Sequence, residues 1–138
     1  MNTRFSSLVT IKKSAVDKSE RVVQSANQDL ENAKKALQSA YISLEEIEVP
    51  QIGTMSQMLA NRTLLNSQRT QITHNKEWIT YASSQLESAQ EQLKLSMIEH
   101  EKFKYLELEE IKKILNKQKL EELKELDEIA LMTYKKIN

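Results

Sequence analysis

One stretch of the chain, Val49-Pro50-Gln51-Ile52-Gly53-Thr54, holds the only proline and the only glycine among its 138 residues. Pro50 lacks a backbone donor and disfavours helix at the residue before it, and Gly53 tolerates the positive φ that sharp reversals often need. Thr54 and Gln57 have the spacing of a capping box, which starts a new helix. The stretch therefore predicts a reversal at 49–54 between two long helices. A flexible linker between independent helices is the alternative.

The first helix is predicted from a seven-residue repeat of apolar positions between Phe5 and Ile47. A companion row three residues further on is rich in alanine, with Lys12 and Ser19 as its polar members. Sustained 3-4 spacing predicts a coiled coil with left-handed supercoiling, and the mixture of leucine and alanine favours a tight antiparallel partner. The main row consists of Val9, Val16, Val23, Leu30, Leu37 and Leu44.

The same repeat returns after the turn, which indicates that the partner helix lies in the same chain. Its rows contain Leu65, Ile72, Ile79, Leu86 and Leu93, with Ala82 and Ala89 as companions. A reversal at 49–54 pairs residues whose numbers add to about 104, so we expect Phe5 near Glu99. The polar stretch before this repeat is predicted as helix. It is either continuous with the helix that carries the repeat or a separate short helix at 55–75, broken near His74 and Asn75.

Residues 100–138 have no partner in the first helix of such a hairpin. Their apolar positions form a wider, drifting stripe, and the heptad register weakens after Met97, as at a stutter. We expect this helix to cover part of the hairpin or to dock on another protein. The predicted fold is all-α: a long antiparallel two-helix coiled coil with a longer C-terminal helix. It is expected to form one elongated domain over 1–138, as a monomeric hairpin.

The composition narrows the classes of function. Twenty basic residues balance twenty acidic ones along the chain, so a basic stripe for nucleic acid is not expected. The chain has no cysteine, which excludes disulfides and thiolate catalysis. Its start has no apolar run like a signal peptide, and no window approaches 18 apolar residues. A cytoplasmic protein without direct membrane insertion is therefore expected.

No residue pattern predicts catalysis. His74 and His100 are the only histidines, and neither has a second histidine one helical turn away, as a helical zinc pair would. We expect a protein that is not an enzyme, with no cofactor and no metal. Trp78, the only tryptophan, precedes a row position and either covers the edge of the coiled coil or anchors a partner. Met132 and Tyr134 pose the same choice.

The two ends of the chain together resemble a known family. Arg4-Phe5, followed by Leu8, heads the long Ala/Leu helix, and Glu121-Glu122-Leu123-Lys124-Glu125-Leu126-Asp127-Glu128-Ile129-Ala130 lies near the other end. Within the second stretch, Lys124-x-x-Asp127-Glu128 matches the C-terminal K-x-x-D-E pattern of FliJ proteins, the export chaperones of the flagellar type III export apparatus. The order of a long helix, a polar middle and a longer C-terminal helix also resembles that family.

The resemblance implies a stalk for bacterial flagellum biogenesis and motility. FliJ proteins resemble the central stalk of rotary ATPases and insert into the hexameric export ATPase, FliI, promoting its assembly and activity. They also contact the export gate protein FlhA and escort export chaperones. This implies a location in the cytoplasm, peripherally associated with the export apparatus of the inner membrane.

Two sets of contact residues are expected from this resemblance. The ATPase-binding residues are Phe5, Lys124, Asp127, Glu128, Met132 and Tyr134. Phe5 is equally suited to the seam between the helices, since it falls on the companion row. The gate-binding residues, chosen by position alone, are Leu65, Ile72, Trp78 and Ala82.

Three other functions remain open. The chain could be the equivalent stalk of a virulence type III secretion system or a generic cytoplasmic coiled-coil adaptor. Its C-terminal helix could instead lie on a membrane surface, although glutamates nearly match the lysines there.

Overall fold

A computed structural model describes residues 2–47 and 53–137, which form two long helices. Helix α1 spans Ser6–Glu45 and helix α2 spans Met55–Ile137. The two helices pack against each other as an antiparallel helical hairpin, which confirms the predicted all-α coiled coil. Of the predicted turn, residues 49–52 lie outside the described part of the chain.

Helix α2 runs through its polar beginning without interruption, so the alternative of a separate short helix at 55–75 is wrong. No break occurs at His74 and Asn75. Threonine side chains can compete for backbone hydrogen bonds, but here they bond back into the helix. The hydroxyl groups of Thr63, Thr70 and Thr73 each donate to the carbonyl oxygen four residues earlier. These side-chain bonds are compatible with the backbone hydrogen bonds of α2, which continue across this stretch.

The predicted capping box at the start of α2 is confirmed. The backbone N–H of Gln57 donates to Thr54 Oγ1 at 3.3 Å, and the N–H of Thr54 donates to Gln57 Oε1 at 3.2 Å. The φ of Gly53 depends on Ile52, which lies outside the described residues, so a role of Gly53 in the reversal stays a prediction. A Cβ at Gly53 would lie 2.7 Å from Gln57 Oε1. The glycine therefore leaves room for the capping side chain.

The chain divides into two compact units, and the larger is Asp17–Lys94. Its core consists mostly of alanines on the predicted companion rows: Ala26, Ala33, Ala40, Ala82 and Ala89, with Ile72. Alanine allows two helix backbones to approach closely. The polar residue Asn75 also lies in this seam, where its Nδ2 donates to the carbonyl oxygen of Ala36 at 3.3 Å.

The other unit consists of Met1–Val16 and Leu95–Asn138. Here Lys12 Nζ lies 3.8 Å from a carboxylate oxygen of Glu99 and 5.6 Å from the centre of the Phe103 ring. Arg4 pairs with Glu110 at 3.6 Å. After Met97, Leu106, Glu109 and Ile111 outside the heptad rows are partly buried, which agrees with the predicted wider stripe, and every row position up to 114 is also at least partly buried. These row positions are Ser96, His100, Phe103, Glu107, Glu110 and Ile114.

The register of the pairing differs from the expected one by about one heptad. The numbers of the paired residues add to 111 for Asn75 with Ala36 and for Lys12 with Glu99, not to about 104. It is therefore Lys12 that meets Glu99, and the expected contact of Phe5 with that region is wrong. A heptad repeat looks the same after a shift of seven residues, so it defines the seam but not the register. The single domain over 1–138 stays a prediction.

Candidate partner-binding surfaces

Helix α2 continues well past the point where α1 covers it. Arg4, two residues before the start of α1, contacts Glu110, and α2 then extends to Ile137, a further distance of about 40 Å at 1.5 Å per residue. Every residue from Leu115 to Lys136 is exposed. We call this stretch, residues 115–136, the C-terminal segment.

The C-terminal segment combines exposed apolar side chains with balanced charge. It carries five lysines and five acidic residues, so its formal charge is zero. Balanced charge gives little attraction to a polyanion or an anionic lipid surface. Contiguous apolar residues on an exposed helix are typical of a protein-binding surface. The large apolar residues are Leu115, Leu120, Leu123, Leu126, Ile129, Leu131, Met132 and Tyr134.

Five of the six residues predicted to bind the ATPase lie on one face of this segment. Asp127 and Glu128 follow Lys124 by three and four residues, Met132 follows Glu128 by four, and Tyr134 follows Asp127 by seven. Residues at these spacings share a helix face. All five side chains are exposed. The helical conformation therefore brings them together as a surface that a partner could cover. We call it the terminal face.

The terminal face continues the seam. Lys124 and Glu128 fall on the same heptad rows as Glu110 and Ile114, which α1 still partly covers. Leu131 also falls on these rows, seven residues after Lys124, and lies at the centre of the terminal face. It is 61% exposed. Our sequence prediction missed Leu131, although the heptad spacing would have found it.

Phe5 does not join the terminal face. Its ring is half-buried, and the Arg4 guanidinium lies 4.9 Å from the ring centre. Arg4 in turn contacts Glu110, fourteen residues before Lys124, which corresponds to about 21 Å along α2. The structure therefore separates Phe5 from the other predicted ATPase-binding residues. Its position agrees with the alternative that it belongs to the seam.

The four predicted gate-binding residues differ in accessibility. Ile72 and Ala82 are only 7% and 3% exposed, because their side chains lie between the helices. Leu65 is half-buried, and Trp78 is 42% exposed at the flank of the seam. Only Trp78 offers a partner a large accessible side chain. The assignment of this region to the gate stays a prediction.

An open groove of about 250 Å³ lies along the seam of the larger unit. Small side chains, including Ser88 and Ala89, leave this space, and Lys18 is the only charged residue that lines it. A groove without carboxylates or imidazoles offers no acid–base pair. Within the described residues, no group of three or more histidines, aspartates or glutamates could hold a metal ion. The exposed surfaces of α2 are therefore the stronger candidates for function.

Comparison with other proteins identifies a family but no individual relative. In the described part of the chain, neither helix has an apolar stretch long enough to cross a membrane. Searches of curated proteins and of solved structures give no match. The family model described as flagellar FliJ protein matches residues 1–138, the whole length. The chain therefore belongs to the FliJ family of flagellar proteins.

Proposed function

We propose that this protein is the coiled-coil stalk of a flagellar export ATPase. The family is a non-enzymatic component of flagellar export. In the proposed mechanism, the C-terminal segment inserts into the hexameric ATPase ring and promotes ring assembly and activity. The chain also links the ring to the export gate and escorts export chaperones. It would act in the cytoplasm, held at the inner membrane through these partners.

The observation that carries this proposal is the uncovered continuation of the seam beyond Ile114. Up to that residue the seam rows of α2 are partly buried, and from Leu115 onward the same rows are exposed. A helix face with this repeat packs against another helix or into a protein groove. The interior of a ring formed by another protein would provide such a surface.

The chemistry of the terminal face suits a protein partner. Leu131, Met132 and Tyr134 provide exposed apolar surface that is removed from water on binding. Lys124 and the neighbouring carboxylates place both signs of charge beside this surface, which favours one orientation of the partner over others. Apolar anchors would thus give affinity, and the K-x-x-D-E residues would give orientation.

A truncation after Leu123 tests the insertion. It removes the terminal face, where no described residue is buried, so the hairpin should melt at an unchanged temperature by circular dichroism. The truncated chain should lose its stimulation of the hexameric export ATPase, measured as phosphate release. Full stimulation by a truncated chain with normal melting would refute the insertion.

Two leucine substitutions refine this test. Leu131 lies on the terminal face, whereas Leu126 lies on the opposite side of α2, and the two are 61% and 62% exposed. Leu131→Ala should raise the concentration needed for half-maximal ATPase stimulation about tenfold, as expected for a buried interface anchor. Leu126→Ala should leave it unchanged. Equal effects of the two substitutions would mean that the terminal face is not the contact.

The contact with the gate can be tested separately. Trp78→Ala should abolish binding of the FlhA-like gate protein, measured by pull-down, if Trp78 anchors that partner. Tyr81→Ala removes another exposed aromatic side chain from the same stretch of α2 and serves as the control. Undiminished binding by Trp78→Ala would exclude this role for Trp78.

A further inference from the structure

A second apolar stripe runs along the outer side of α2, within the unit that contains Leu95–Asn138. Four large residues form it: Ile98, Tyr105, Leu108 and Leu115, and each is between 44% and 62% exposed. They occupy two heptad rows that lie three residues apart, which is the spacing of a coiled-coil seam. We call this surface, on residues 98–115, the outer stripe.

The outer stripe faces away from α1. At about 100° per residue, its centre lies about 150° around the helix from the seam rows. Helix α1 therefore leaves it uncovered, and the terminal face also lies on a different side of α2. Single exposed apolar residues need no explanation, but a repeat at 3-4 spacing indicates a packing surface.

Two charged residues complete the rows of the outer stripe. Glu101 lies between Ile98 and Tyr105, and Lys112 lies between Leu108 and Leu115. In the single chain, Glu101 pairs with Lys104 at 3.7 Å, and Lys112 pairs with Glu109 at 3.6 Å. These are exposed contacts between residues three apart, which contribute little to stability. Both charges are thus available to another partner.

We propose that the outer stripe binds a second copy of this chain in an antiparallel orientation. The stripe is complementary to itself when it is reversed. Ile98 then lies opposite Leu115 of the second copy, Tyr105 opposite its Leu108, and Glu101 opposite its Lys112. A two-fold axis repeats each of these contacts, as in an isologous dimer. All apolar residues meet apolar residues, and the two charges meet their opposites.

Other arrangements of the two stripes are worse. A parallel dimer in register places Glu101 against Glu101 and Lys112 against Lys112, and like charges repel. An antiparallel dimer shifted by one heptad places Ile98 opposite Glu122 and Leu108 opposite Lys112. An unpaired charge against an apolar residue is unfavourable to bury. The charged pair therefore selects both the orientation and the register.

The flanks of the stripe agree with this arrangement. Lys102 lies beside the stripe and comes near Glu109 of the second copy, which adds a further pair of opposite charge at the rim. Rim charges steer association and contribute modestly to affinity. An interface with six core residues per chain is small, so the dimer should be weak and reversible.

Sedimentation equilibrium of the full-length chain tests this dimer, at concentrations from the low micromolar range upward to the solubility limit. We expect a reversible monomer–dimer equilibrium. Glu101→Lys and Lys112→Glu should each weaken dimerisation at least tenfold, because each variant places like charges opposite each other. The double variant Glu101→Lys/Lys112→Glu should dimerise as well as the unmodified chain, because the pair is only reversed.

A mixture of the two single variants provides an independent readout. Glu101→Lys chains should form heterodimers with Lys112→Glu chains, although neither variant pairs well with itself. Lys34→Glu is a matched control: Lys34 pairs with Glu31 at 3.8 Å and the same three-residue spacing, but lies on α1. It should leave dimerisation unchanged. Circular dichroism should show that every variant keeps its helix content.

Several results would overturn the proposal. One is an unmodified chain that stays monomeric at all concentrations. Another is a single charge reversal that does not weaken dimerisation. The third is a double variant that does not dimerise as well as the unmodified chain. No export protein takes part in the experiment. Its outcome is therefore independent of the proposed stalk function.

Discussion

Two apolar regions of this molecule differ in burial: the alanine seam, formed by Ala26, Ala33, Ala40, Ala82 and Ala89, and the C-terminal segment, whose apolar side chains are larger. In the unit Asp17–Lys94, alanines are almost completely buried, and Ala33 has no exposed surface. In the C-terminal segment, leucines and isoleucines of much larger apolar area are exposed. The presence of an opposing helix therefore decides burial here, more than the type of side chain.

The difference separates the part of the chain that stabilises the hairpin from the part whose apolar surface is open to a partner. Small residues at the seam allow close helix contact, which stabilises the hairpin through many small packing contributions. Large residues beyond α1 contribute nothing to that contact and leave their apolar surface in water. Such surface is a cost to solubility unless a partner covers it. The stable part is thus rich in alanine, and the part available for binding is rich in leucine.

The comparison can be tested most strongly by adding the same charge to both regions. Ala33→Glu buries a carboxylate without a partner and should lower the free energy of unfolding by about 3 kcal/mol. Leu126→Glu changes an exposed position and should alter it by less than about 0.5 kcal/mol. Urea unfolding followed by circular dichroism measures both values. Equal losses would mean that the C-terminal segment is packed as tightly as the alanine seam.

The register of the alanine seam can be tested by cross-linking. Ser43 and Gln68 line one groove, so Ser43→Cys with Gln68→Cys should form a disulfide. Ser43→Cys with Asn61→Cys reports a slip of one heptad. That slip breaks the hydrogen bond from Asn75 to the carbonyl oxygen of Ala36 and leaves a partly buried amide without this partner, so the first pair should cross-link at least about tenfold faster, the ratio for about 1.4 kcal/mol. Comparable rates of cross-linking would show that the two helices populate both registers.

The beginning of α2 is a second stretch without cover from α1, since residues 53–60 are exposed. The helical conformation of this first turn should therefore depend on the capping box and not on packing against α1. Thr54→Ala should weaken the first turn by about 1 kcal/mol, seen as faster amide exchange there. Thr63→Ala is the matched control within the helix and should not accelerate exchange, because alanine has the higher helix propensity. Unchanged exchange in Thr54→Ala would show that something other than the cap orders this turn.

The contact between Arg4 and Glu110 is the last described ion pair that joins the N-terminal part of the chain to α2. The arginine side chain is 73% exposed, so solvent screens the pair. Arg4→Ala should lower the free energy of unfolding by about 0.5 kcal/mol or less at low salt. The difference should vanish in about 1 M salt, where the Debye length is near 3 Å. A loss that persists in high salt would assign Arg4 a packing role, through its contact with the Phe5 ring.

Much of the fold follows from local rules. The predicted rows from Val9 to Leu44 are all at least partly buried, and the capping box forms as expected. The helix expected over the polar stretch is present, and the alternative of a break near His74 does not occur. The threonine hydroxyl groups there bond within the helix, a side-chain conformation that the residue type does not reveal. The site residues Lys124, Asp127 and Glu128 share a face because of helical spacing, so the sequence already implied their grouping. The sequence did not show that Phe5 lies apart from these residues, because its position along α2 depends on the register of the two helices.

The sequence by itself determined the helices, the residues of the seam and the start of α2, because these depend on spacing within a few turns. It did not determine which heptad of α2 lies opposite which heptad of α1, because a shift of seven residues preserves the repeat. Only the tertiary structure decided that register, through contacts such as Asn75 with Ala36 and Arg4 with Glu110. The register in turn decides where cover by α1 stops, and therefore which part of the seam is open to a partner.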